Sequence, residues 1–111
     1  MIEETILNYL SDALEVPVRM EVPQEPPGRF VVLEKTGTGK TNCIPRATFA
    51  VQSYGTSLLE AARLNEQVKQ AMESLDERDE IAAVKLNTDY PYPDTRTKRY
   101  RYQAVFDITH Y

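Results

Sequence analysis

An α+β fold is predicted for this chain: a single, mainly antiparallel sheet with two helices packed on one face, in the order α-β-β-β-α-β-β. Three observations predict it. Two stretches space their apolar residues as helices do, and five others read as strands, three by alternation and two by β-branched and aromatic content. The links between successive strands are short and rich in Gly and Pro, as antiparallel neighbours require. At 111 residues the expectation is one compact unit spanning 1–111.

The opening helix is read from Ile2, Ile6, Leu7, Leu10 and Leu14, which fall on one stripe. Glu3 and Glu4 suit its N-terminal dipole, and Pro17 forbids continuation. Val18, Met20 and Val22 then alternate with Arg19 and Glu21 as a strand should, before Pro23, Pro26, Pro27 and Gly28 impose a loop. The runs 29–35 and 47–54 are rich in β-branched and aromatic residues and read as a hairpin. Its ten-residue connection, TGTGKTNCIP, is long for a hairpin, so the outer parts extend the strands and Gly37 to Lys40 form the tip.

Ser57 and Glu60 make an S-x-x-E capping box that opens a long helix, with Leu58, Ala61, Ala62, Val68, Ala71, Met72 and Leu75 on its apolar face. The charged turn Asp76 to Glu80 ends it. Ile81 to Thr88 resumes alternation. Tyr90 to Asp94 cannot be a central strand, because Pro91 and Pro93 lack amide donors. The last strand places Tyr100, Tyr102, Ala104, Phe106 and Ile108 on one face and Arg99, Arg101, Gln103, Asp107 and Thr109 on the other.

Composition narrows the function classes. Thirteen Lys and Arg against 17 Asp and Glu give a net charge of −4, which disfavours general nucleic-acid binding. The single cysteine, Cys43, forms no internal bridge and suits a reducing cytoplasm. The opening MIEETILNYLSD lacks the basic n-region of a secretion signal. No apolar run approaches the roughly 18 residues of a membrane span, so no membrane partner is expected.

No motif carries chemistry, and no catalytic residue, cofactor or metal is expected. Gly39-Lys40-Thr41 ends like a phosphate-binding loop, but Glu34 stands where the first glycine of that motif belongs and would repel phosphate. One His (His110) and one Cys (Cys43) cannot build a zinc site without scattered carboxylates, and nothing suggests they meet as a nucleophilic pair. Asp76 to Glu80 lacks the glycine and oxygen spacing of a calcium loop. Arg96, Lys98, Arg99 and Arg101 interleave with tyrosines, a pattern that can bind single-stranded nucleic acid. The net charge favours a protein interface instead. This basic run and the acidic turn Asp76 to Glu80 give patches of opposite sign, which suit head-to-tail self-association.

The element order, together with ETILNYLSDAL, TFAVQSYGTSLLEAARLNEQVKQAMESL and RYRYQAVFDITHY, resembles the tail terminator proteins of long-tailed bacteriophages and prophages. These are also called tail completion or head-tail joining proteins. The resemblance spans nearly the whole chain through layout and texture. It implies a structural, non-catalytic role in virion assembly: a hexameric ring that caps the tail tube, stops its polymerisation and meets the head connector. Implied partners are further copies of the chain, the tail-tube protein and connector proteins. The implied location is the bacterial cytoplasm during assembly and then the virion neck. By element matching, the hairpin tip (Thr36, Gly37, Thr38, Gly39, Lys40 and Thr41) and the loop from Asp89 to Lys98 would order against neighbours or tube. Arg96, Lys98, Arg99 and Arg101 would meet acids of the adjacent subunit. Another phage neck or minor capsid component, or a small intracellular α+β binding or regulatory module, shares this layout.

Overall fold

Helix α1 (Ile2–Ala13) buries Ile2, Ile6 and Leu10 on the predicted stripe, and Leu14 continues it at the cap. The structure, a computed structural model, describes the backbone of residues 1–111 and every side chain except that of Thr41. Beyond Pro17 the chain makes β1, which is two residues long (Val18–Arg19) and runs parallel to β2 (Phe30–Thr41), with Val18 opposite Val31. The alternation of Val18 to Val22 predicts a longer, antiparallel strand here. Extending the observed register would instead set Glu21 beside Glu34, an unfavourable like-charge neighbour, and Pro23 would remove an amide. Met20 and Val22 therefore leave the sheet and stay about half exposed.

Strands β2 and β3 (Ile44–Gly55) form a hairpin in antiparallel register from Phe30–Tyr54 to Thr41–Ile44, with one irregularity between Lys35 and Gly37. Its tip is Asn42-Cys43, whose φ values of 51° and 66° are those of a two-residue type I′ turn. This corrects the predicted tip at Gly37 to Lys40. Those residues are paired strand, and among the described residues no glycine has positive φ. The two-residue turn prevails because its twist matches that of the flanking strands, and Asn tolerates the left-handed region well. Cys43 does not, so Cys43→Gly is expected to raise the unfolding free energy by about 1 kcal/mol, read from urea unfolding curves.

Helix α2 (Leu58–Glu73) starts where predicted. Ser57 Oγ accepts the Glu60 amide at 3.1 Å. Glu60 reaches back one residue beyond the cap, accepting the Thr56 amide at 2.9 Å and the Thr56 hydroxyl at 3.1 Å. The Thr56 amide is the main reason its carboxyl titrates below the usual range. Ala61, Leu64, Asn65, Val68 and Met72 face the sheet, whereas Leu58 lies at the open end and is exposed. A 3₁₀ turn (Leu75–Glu77) buries Leu75 and leads into β4 (Ile81–Pro91), which pairs antiparallel with β5 (Tyr100–His110).

The sheet order is β1-β2-β3-β5-β4. β4 is an edge strand, where its terminal proline is tolerated. The β4–β5 ladder continues beyond the named strands: the Tyr92 amide donates to Arg101 O at 2.7 Å, and Asp94 and Arg99 exchange amide bonds of 2.9 and 3.1 Å. The predicted loop from Asp89 to Lys98 thus shrinks to Thr95–Lys98. Under the helices, Val31, Leu33, Phe49, Val51, Phe106 and Ile108 form the core with the α1 and α2 stripes. Tyr100, expected on this buried face, is level with Gly55, where the chain turns out of β3, and is 46% exposed.

Candidate assembly surface

The second face of the sheet carries no helix and is closed by its own side chains. Across β2, β3, β5 and β4 runs one polar row: Gln52 Nε2 donates to Gln103 Oε1 at 2.9 Å and to Glu34 at 3.5 Å, and Gln103 donates to the Tyr90 hydroxyl. A second row centres on Asp107, which accepts from the Thr48 hydroxyl at 2.8 Å and from Asn87 at 2.7 Å. The Thr48 bond, then the Asn87 bond and the nearby Arg46 and Lys85 charges, hold the Asp107 carboxyl below the usual aspartate range. A third row is aromatic. Phe30 stacks on Tyr54 at 4.3 Å, and Arg101 lies over Tyr54 and Tyr92, 5.6 and 4.3 Å from the ring centroids.

Arg101 is therefore committed within the chain: Nη1 donates to the Tyr54 hydroxyl at 3.0 Å and Nε to Tyr92 O at 2.8 Å. Of the other predicted basic residues, Arg99 is half-buried and bonded to Asp94 through its backbone, while Arg96 and Lys98 are exposed. The Asp94 carboxylate accepts the Arg96 and Thr97 amides at 3.1 and 3.4 Å, which shapes the tip, and Lys98 closes it with φ 56°. The basic residues thus form one compact end of the molecule.

The other predicted segment lies at the opposite end. Thr36 to Lys40 sit on the outer half of β2, and the turn after Thr41, whose side chain lies outside the described residues, projects past the last β3–β5 pair, Arg46–Thr109. Neither Gly37 nor Gly39 is needed for φ, and an added Cβ would come no closer than 3.9 and 3.7 Å to any neighbour. The acidic turn shares this end, because the Tyr111 amide donates to Glu80 O at 2.9 Å and Ile81 pairs with His110. Eleven residues of β5 separate it from the basic tip, about 35 Å of extended chain, in a molecule 42 Å long.

Sequence reasoning missed one polar network, built on a buried amide. Asn65 is 1% exposed, and its Nδ2 donates to Asp89 Oδ2 at 2.9 Å, while Lys69 Nζ lies 3.0 Å from the same oxygen and 2.7 Å from Glu66. Glu66 first, and then Asp89, raise the Lys69 pKa. The available signal was Asn65 itself, a polar residue at a stripe position between Ala61 and Met72.

Gly39-Lys40-Thr41 lies in a strand, Lys40 facing Pro45 across the hairpin, so no helix N-terminus follows to receive a phosphate. Among the described residues, no three His, Cys, Asp or Glu side chains are grouped to hold a metal, and no helix is long and apolar enough to cross a membrane.

The architecture is thus an α+β sheet with a self-satisfied open face, a basic tip at one end, and an acidic turn beside the β2–β3 hairpin at the other. No protein-family model matches the chain, and no curated protein matches it. Among solved structures it is similar to a chain in the virion of a native gene transfer agent particle. The TM-score is 0.53 at 14% identity, covering 91% of this chain and 83% of that one. At that identity the likeness is one of fold.

Proposed function

We propose that residues 1–111 act as one tail-terminator-like unit, a head-tail joining protein whose copies form a ring, hexameric by family resemblance, that caps a tail tube and joins it to the head. The observation that carries this reading is the fold shared, over 91% of the chain, with a chain in the virion of a gene transfer agent particle. The surface chemistry supports it. Both ends of the sheet carry charge, whereas the open face satisfies its own polar groups. Thr36–Thr41 at one end and Arg96, Lys98 and Arg99 at the other are the proposed contact segments, with Arg101 holding the basic end in shape. No catalytic step, cofactor or membrane belongs to this role. Assembly would take place in the bacterial cytoplasm and end in the virion neck.

A second reading, another neck or minor capsid component, draws on the same likeness. Co-expression with a cognate tail-tube protein, followed by gold labelling of this chain in electron micrographs, separates the two. Label at a single end of each tube is expected. Label spread along tubes contradicts the terminator role, and label on heads alone favours the second reading.

A further inference from the structure

The turn Asp76–Glu80 and the tip Asp94–Arg99 each engage within the chain their one residue of opposite sign. In the acidic turn, Asp76, Glu77, Asp79 and Glu80 are exposed, and among the described residues none of them is in an ion pair. The cation among them, Arg78, is itself exposed and lies over the Tyr9 ring of α1, 5.2 Å from its centroid, beside four acids that outnumber it. At the basic tip, Asp94 is spent on its own loop's amides, which leaves Arg96 and Lys98 facing outward. Tyr92 and Tyr100 beside them are 44% and 46% exposed. Exposed tyrosine with arginine is the composition that anchors protein interfaces.

We propose that the Thr95–Lys98 tip of one copy seats on the Asp76–Glu80 turn of the next copy, Arg96 and Lys98 meeting its acids. The occupant is a second copy because the complement to each patch is present on the same chain, at the far end of the same sheet. Contact between different patches is heterologous, so an open series keeps one free patch of each kind, one at either end, and closes into a ring or continues as a filament. The contact deepens the ring reading and rests on it for closure. Since both patches are solvent-exposed, salt would weaken the association.

The test uses two charge-reversed proteins, one carrying Arg96→Glu with Lys98→Glu and the other Asp79→Lys with Glu80→Lys. All four positions are exposed, so circular dichroism and thermal melting should match the unaltered chain. In sedimentation velocity the unaltered chain is expected to associate, and each variant alone to associate roughly tenfold or more weakly, since like charges then face each other. An equimolar mixture should recover association, because each reversed patch then finds its complement on the other variant. The contact is overturned if single variants associate like the unaltered chain, if mixing restores nothing, or if the unaltered chain stays monomeric at millimolar concentration. It is also overturned if reversing the tip abolishes binding to single-stranded DNA and leaves self-association untouched. Tube-end labelling with charge-insensitive association would sink this contact alone. Charge-restored association without tube-end labelling would sink the terminator reading alone.

Discussion

Gly55→Ala is expected to lower the unfolding free energy by about 2–3 kcal/mol, toward the upper end of what overpacking costs, and the melting temperature by roughly 10 °C. A Cβ at Gly55 would stand 2.6 Å from the Ala61 amide nitrogen and 3.0 Å from the Glu60 carbonyl carbon. Both are backbone atoms of the first turn of α2, so relief requires moving the helix rather than rotating a side chain. Gly55 is where β3 passes into α2, and it sits opposite Tyr100 at the base of the basic tip. The substitution therefore disturbs how the helix layer is seated on the sheet. Gly37→Ala is the control. Its Cβ would have open space, the nearest atom being 3.9 Å away, and its strand should hold or gain stability because the unfolded chain loses freedom. Thermal melts of the two variants by circular dichroism distinguish close packing from a general intolerance of glycine replacement.

Asp89→Ala should also cost about 2–3 kcal/mol, for a different reason. Asp89 satisfies Nδ2 of the buried Asn65, whose Oδ1 has no partner among the described residues. Removing the carboxylate leaves a side chain that is 1% exposed with no hydrogen bond at all, and takes from Lys69 one of its two acids. The penalty then belongs to the stranded amide rather than to the ion pair, which is partly exposed and screened. Asn65→Leu in the Asp89→Ala background should accordingly recover most of the loss, and Asn65→Leu alone should cost less than Asp89→Ala. A double-mutant cycle from urea unfolding measures this coupling directly. Lys69 adds a pH signature. Its raised pKa means that its contribution is complete below the ordinary lysine range and is lost as pH rises through the elevated folded value.

The element order and both helices were legible because their signals are local: the apolar stripe of Ile2, Ile6 and Leu10, the proline stop, and the Ser57 cap with Glu60. The last strand was legible at Ala104, Phe106 and Ile108 through plain alternation. What depended on partners was not. The two-residue β1 reflects which strand lies beside it, since the VRMEV pattern alone cannot show Glu21 approaching Glu34. The hairpin tip is not legible because glycine is the usual bearer of positive φ, whereas here Asn42 and Cys43 carry it and Gly37 and Gly39 lie in the paired part of β2. The basic run was legible as a patch, but its division was not. Only the fold shows that Arg101 is held between Tyr54 and Tyr92 while Arg96 and Lys98 stay free. The placement of the acidic turn at the opposite end likewise follows from the β4–β5 register and not from sequence spacing.

Ring formation is tested most directly by negative-stain electron microscopy of the concentrated protein, with light scattering on a sizing column to give the mass in solution. Closed rings with a central opening, and a mass near six 12.7 kDa chains, are the expected result. A uniform monomer at every concentration, or two-fold dimers that bury the same patch on both copies, would contradict a head-to-tail ring.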